Sequence, residues 1–251
     1  MTSFALKLAA IIAMTLDHAA YYIGQRGLMA LFSLDNHASS DLMQVMEGIG
    51  RMAFPLFAFL LVEGTKNTRS MPRYIGRLAL FALISEPIFY FAHWYFNPTL
   101  STYFRDVGNL NFGNVFFTLT LGALAIYAFQ KLEAHKGKFT LLWELLVLAV
   151  AAFVAQYIGS DYGMYGVALI GLVYLARKKQ WQCLVILVWI LYMYGYYQGS
   201  NHLMNCAFAA VSCLLIWLYN GKRGRPMKWS FYVYYPAHLL VLTLIHYAAA
   251  G

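Results

Sequence analysis

A handful of polar side chains stand where a mostly apolar chain has no cheap place for them. Asp17 and His18 are neighbours inside the run LKLAAIIAMTLDHAAYY, and Arg51 lies near the start of GRMAFPLFAFLLVEGTKNT. Glu86, Asn114 and His238 sit in further apolar stretches. A charged side chain at bilayer depth costs on the order of 3 kcal/mol and normally faces a cavity or a partner. A histidine beside a carboxylate can act as a general base, because the carboxylate orients the ring and stabilises its protonated form. A second buried histidine, His238, is a proton partner or a substrate contact. An arginine at the same depth can bind a carbonyl, phosphate or carboxylate. The competing reading is structural: Asp17 and Arg51 form an ion pair that fixes helix packing, and Glu86 pairs with Arg77 or His93. Breaking such a pair costs about 3–5 kcal/mol whatever its role, so loss of protein on mutation would not by itself indicate catalysis. His18, His93, His202 and His238 have no spacing that recommends a metal site, and there is no HExxH and no phosphate-binding glycine loop.

The elements that must position these residues are membrane helices. The chain has 251 residues, 61% hydrophobic, 18% aromatic and 11% charged, with a mean hydropathy of +0.58. A soluble domain carries about 25% charged residues, and a transmembrane helix needs about 20 apolar ones. The expected fold is all-α, a polytopic membrane bundle in a single domain over 1–251. About nine spans are expected, at 6–24, 45–64, 74–95, 114–130, 140–158, 162–176, 181–197, 202–220 and 229–249. The first is read as a retained helix rather than a cleaved signal, since it contains Asp17 and His18 and lacks a small-residue cleavage site.

The segments 65–73, 131–138, 177–179 and 221–228 are basic, and they alternate with 25–44, 96–112, 159–161 and 198–201, which are not. The positive-inside rule then places the N-terminus in the cytoplasm and the C-terminus outside. The net charge of +8 therefore reads as topology and lipid-headgroup contact, not as nucleic-acid binding. At about 1.5 Å per residue, Asp17, His18, Arg51, Glu86 and His238 share one depth band. No repeat of about 20–50 residues appears, which removes solenoids and repeat-built transporters. Cys183, Cys206 and Cys213 read as core filler, and Tyr192–Tyr197 with Trp94 and Tyr95 as interfacial aromatic belts.

The blocks LKLAAIIAMTLDH, IGRMAFPLFAFLLVEGTKNTRS, YIGRLALFALISEPIF, GNVFFTLTLG, DYGMYG and YVYYPAHLLVLTLI, in that order, resemble the TraX family. That family is named for the conjugation protein that N-terminally acetylates F-type pilin. It looks like a branch of the transmembrane acyltransferases that include the bacterial acyltransferase-3 proteins and the lysosomal heparan glucosaminide acetyltransferase. The resemblance implies a multi-pass protein of the bacterial plasma membrane. Such a protein takes acetyl-CoA from the cytoplasm and delivers the acetyl group to an outer-side acceptor: a peptide amine such as pilin, or an envelope glycan or lipid. Carried over by motif, His18 is the general base, and Asp17 orients it or pairs with Arg51. Arg51 and Asn114 line the acyl site, while Glu86 and His238 complete the polar core. Lys66, Arg69, Arg73 and Arg77 could hold the CoA phosphates or only satisfy the positive-inside rule. Direct transfer fits best, with an acetyl-histidine relay second. Two other classes stay open: a proton-coupled transporter that uses the Asp/His/Glu cluster as a relay, and a scaffold whose polar core is only structural.

Overall fold

The computed structural model describes residues 1–96, 112–197, 202–226 and 229–250, and every regular element among them is helical. These are α1 (Ser3–Phe32), α2 (Asn36–Gly50), α3 (Ala53–Asn67), α4 (Met71–Phe96), α5 (Val115–Ala134), α6 (Thr140–Tyr157), α7 (Gly163–Leu175) and α8 (Lys179–Tyr192). A π-helical turn (Met193–Tyr197), α9 (His202–Trp217) and α10 (Ser230–Ala250) complete the chain. Five stretches are long and apolar enough to cross a membrane: Ser3–Phe32, Asn36–Asn67, Met71–Ala92, Val115–Ala134 and Thr140–Tyr157. Gly163–Leu175 and His202–Trp217 are shorter apolar helices. Large apolar side chains point outward, as on α6, where Leu141, Leu142, Leu145, Val150 and Phe153 are exposed. In water that face would be a liability; in a bilayer it meets hydrocarbon.

The expected loop at 25–44 is largely helical. α1 continues past a kink at Gly24, whose φ of 66° interrupts the regular backbone and suits a residue without a Cβ. α2 then starts at Asn36, with the Asp35 side chain accepting from the Ala38 N–H at 2.7 Å as its N-cap. Gln25 ties the two pieces by donating to the Asn36 carbonyl at 2.8 Å. The expected single span over 45–64 is broken at Arg51–Met52, between α2 and α3. Pro55 explains the break. It has no N–H for the carbonyl four residues back, which is that of Arg51. The turn expected at 199–201, the loop residues 97–111 with Asn109 and Asn111, and the side chains of His93, Trp94 and Tyr95 lie outside the described residues.

The chain forms two compact units, Met1–Phe57 with Cys183–Gly251, and Ala58–Gln182. In the first, α1 packs on α2 and on α10, and α2 packs on α9. Small residues set the closeness. A Cβ at Gly50 would land inside the Asp17 side chain, and one at Gly48 would press on the Phe208 ring. Cys183 and Cys213 are half-buried, outside any disulfide and directed at each other's carbonyls. In the second unit, α5 contacts α4, α6 and α7. Gly122 on α5 admits Ile170 of α7, and Gly171 of α7 admits Leu148 of α6. The end of α5 is fixed by Glu133, which accepts from the Tyr174 hydroxyl at 3.2 Å and from the Arg177 guanidinium.

Candidate functional site

In the first unit, α1 and α10 bring two histidines ring to ring. His18 Nδ1 lies 2.6 Å from His238 Nε2, and the two rings meet edge to edge across that bond, their planes within 9° of each other and their centroids 4.9 Å apart. Tyr234 stacks on His238 with ring centroids 5.1 Å apart and planes at 9°. Its hydroxyl is 2.7 Å from that of Thr15. Tyr22 and Tyr235 meet His18 edge-on. Tyr234 and His238 are four residues apart on one helical face, and so nearly are Thr15 and His18. That spacing is the signal that could have brought Thr15 and Tyr234 into the sequence reading.

The hydrogen bonds assign the tautomers. His238 Nδ1 is 2.9 Å from the Tyr234 carbonyl, which can only accept, so Nδ1 carries a proton. In the neutral ring Nε2 is then the acceptor. His18 Nδ1 must donate to it, and the neutral His18 ring keeps its lone pair on Nε2. The chain from the Tyr234 carbonyl through His238 to His18 thus does for His18 what a buried carboxylate does in a Ser-His-Asp triad: it fixes one tautomer and one orientation.

Asp17 serves another partner. Its Oδ1 is 3.7 Å from Arg51 Nη1, and Glu47 Oε2 is 3.9 Å from Arg51 Nη2. Glu47, one helical turn before Arg51, was missed because it reads as an ordinary amphipathic-helix residue. Arg51 is gripped at its other end by Tyr194. The ring of Tyr194 lies 5.8 Å from the guanidinium, and its hydroxyl donates to the Arg51 carbonyl at 3.4 Å. That carbonyl is the one Pro55 leaves without a helical donor. Tyr194 therefore does not belong to the aromatic belt expected at 192–197. It is 0% exposed whereas Tyr196 is 80% exposed, residues two apart on a helix pointing to opposite sides. The Tyr194 carbonyl meets His202 Nδ1 at 3.1 Å.

Glu86 and Asn114 belong to the second unit, where the structure gives them to each other. Glu86, 7% exposed, accepts from the Gly113 N–H at 2.8 Å, the Asn114 N–H at 3.4 Å and the Asn114 amide, and it also bonds Tyr90. Arg77 is not its partner; that guanidinium lies 5.8 Å from the Tyr74 ring. Asn114 also donates to the Ala82 carbonyl at 2.9 Å and caps α5 by accepting from the Phe116 N–H at 3.0 Å. A carboxylate at a helix N-terminus is favoured by the peptide dipoles, and here it clasps α4 to α5. Of the four basic residues expected to hold phosphates, Lys66 is paired with Glu63 at 2.8 Å. Arg69 and Arg73 are exposed and Arg77 is half-buried. Among the described residues no group of three His, Cys, Asp or Glu side chains could hold a metal ion.

Residues 3–246 match the family model described as TraX protein. The chain is 31% identical over 254 residues to a protein of Dichelobacter nodosus called "Probable fimbrial assembly protein FimC, serogroup H1", with 96% of this chain and 94% of that protein covered. No solved structure matches.

Proposed function

The chain belongs to the TraX family and is a multi-pass bacterial membrane protein, and from that premise we propose that it is an acetyl-CoA-dependent acetyltransferase whose general base is His18. The observation that carries the reading is the tautomer chain from the Tyr234 carbonyl through His238 to His18. It leaves His18 Nε2 as the nitrogen able to take a proton. An acceptor amine or hydroxyl gives that proton to Nε2 as its nitrogen or oxygen attacks the thioester carbonyl. The tetrahedral intermediate collapses with loss of the C–S bond, and the His18 imidazolium returns the proton to the departing thiolate, releasing CoA. His238 positions His18 and spreads the charge of the imidazolium. Arg51, held by Asp17 and Glu47 in the same unit as the histidine pair, is assigned to the acyl group. The relative's name, a fimbrial assembly protein, favours a pilin-type peptide amine as the acceptor.

The topology proposed is nine crossings with the N-terminus in the cytoplasm, α2 and α3 counting as one broken crossing. A parity argument supports it. Ser3 and Phe4 donate backbone hydrogen bonds to the Lys222 and Arg223 carbonyls at 2.8 and 3.1 Å. Thr15 then meets Tyr234, and His18 meets His238. α1 and α10 thus run parallel from a common side, so an even number of crossings separates their starts.

Wild type and His18→Ala are compared in lipid nanodiscs, after both are found monodisperse and equally heat-stable. Radiolabelled acetyl-CoA and a membrane extract are added, and CoA release and label on acceptor are followed. Transfer by wild type and none by the variant is the expected result. If wild type cleaves no thioester while a pH gradient drives solute flux in liposomes, the transferase reading is wrong and the transporter reading takes its place.

A further inference from the structure

The second unit holds two carboxyl groups that the proposed transfer does not use. Glu133 stands at the end of α5, and Glu144 in the first turns of α6. Glu133 accepts from the Tyr174 hydroxyl of α7 at one oxygen and from the Arg177 guanidinium at the other. Arg177 reaches it from a left-handed backbone, φ 47°, which a residue with a Cβ rarely adopts. The Glu144 carboxyl also hydrogen-bonds that of Glu133. Glu144 is 4% exposed, and its Oε1 has no hydrogen-bond partner among the described residues.

Charge decides how these groups can be arranged. Two ionised carboxylates can only accept, so a hydrogen bond between them requires a proton. With both ionised, the cluster would set two negative charges against one arginine and leave an anionic oxygen buried without a donor, which is costly. With the proton on Glu144, its O–H donates to Glu133 and the orphan Oε1 is a neutral carbonyl oxygen. Glu133 keeps its charge, because Arg177 and Tyr174 both donate to it. Of the other charges nearby, Lys131 lies 5.4 Å from the centre of the Tyr127 ring, and His135, Lys136, Lys138 and Lys178 are exposed.

We propose that Glu133 and Glu144 share one proton, and that with Tyr174 and Arg177 they form a proton-binding site that latches α5, α6 and α7 together. The site is built entirely from the second unit and does not rest on the transferase reading. Arg177 is exposed and is its opening to water. On the proposed topology that water is cytoplasmic, since the basic segments 131–138 and 177–179 flank the site. The proton passes between the Glu144 carboxyl and this water, and no bond other than O–H changes.

Glu144→Gln tests the proposal. Its amide N–H donates to Glu133 as the protonated acid does, and its carbonyl takes the place of Oε1. Wild type and variant are compared in nanodiscs by infrared spectroscopy at neutral pH. The wild type is expected to show the carbonyl stretch of a protonated acid that the variant lacks. Reversible unfolding in mixed micelles, followed from about pH 5 to about pH 9, is the second readout. An unfolded glutamate releases its proton near about pH 4.3. Above that value, for as long as the native pair keeps its proton, the unfolding constant of wild type relative to the variant is expected to rise about tenfold per pH unit. Stability from the shared proton is thus present at low pH and lost as pH rises, while groups common to both proteins cancel in the ratio. A flat ratio or an unchanged acid band overturns the proposal. So does a ratio that follows sodium or potassium concentration instead of pH, which would seat a metal ion between the carboxylates. Failure of Glu144→Gln to fold overturns it as well, because the amide can make each contact assigned to the protonated acid.

Discussion

The histidine pair makes a demand on individual atoms. His18 needs its proton on Nδ1, and His238 supplies the acceptor that keeps it there. His238→Ala should lower kcat by about 10²–10⁴-fold, the usual worth of a positioned acid–base group, with KM for acetyl-CoA unchanged. Steady-state kinetics on heat-matched protein checks this, and a rise in KM alone would make His238 a binding residue instead. Tyr194→Phe tests the grip on Arg51. It removes a donor to the Arg51 carbonyl and should cost about 1 kcal/mol of stability, read as a lower unfolding temperature in nanodiscs. At this scale the sequence was informative about residue types and less so about pairings. Asp17, His18, Arg51 and His238 stand out because ionisable groups in apolar runs are costly, and the structure brings all four into one unit. That His18 turns to His238 while Asp17 turns to Arg51 depends on χ angles and helix rotation, which no spacing reveals.

At the scale of elements, the α2–α3 break and the Glu86–Asn114 clasp are the features that decide geometry. Pro55→Ala restores a helical N–H for the Arg51 carbonyl and favours a continuous helix through residues 49–56. Thermal stability should hold or rise, while transfer falls about a hundredfold through misplacement of Arg51; paired melting and turnover measurements check both. Gly50→Ala puts a methyl group where the Asp17 side chain lies and should destabilise by about 1–3 kcal/mol. Asn114→Ala removes one donor from a buried carboxylate and one from the Ala82 carbonyl, together with the α5 cap, while its backbone N–H stays on Glu86. Its expected effect is about 1–3 kcal/mol of stability, with turnover per folded molecule intact; a specific loss of turnover would return Asn114 to the acyl site. Pro55 was visible in the sequence, but hydropathy averages over it and so joined α2 to α3. The helical character of residues 25–44 was hidden for the opposite reason. Polar side chains there resemble a loop, although Asp35 followed by Asn36-His37-Ala38 carries an N-cap signal.

On the whole molecule, the alternation of basic and non-basic loops predicts an orientation, while the parallel α1 and α10 bear on the parity of the crossings between their starts and not on which side those starts face. A single cysteine in place of Arg223 should react with an impermeant maleimide only in inverted vesicles, and one in place of Leu203 only in right-side-out cells, both in a background without native cysteines. Labelling of both from the same side would reverse the number or sense of the crossings between them. What the sequence did not disclose is that one unit is assembled from the two ends of the chain, with residues 58–182 forming the other. The histidines that face each other are 220 residues apart. α1 is synthesised before α10 and must wait for it. A nascent chain stalled anywhere before residue 238 holds His18 without its partner, so the base is armed only when biogenesis is complete. On the proposed acetyltransferase reading, a bacterium making this protein is thereby spared a half-built enzyme that spends acetyl-CoA.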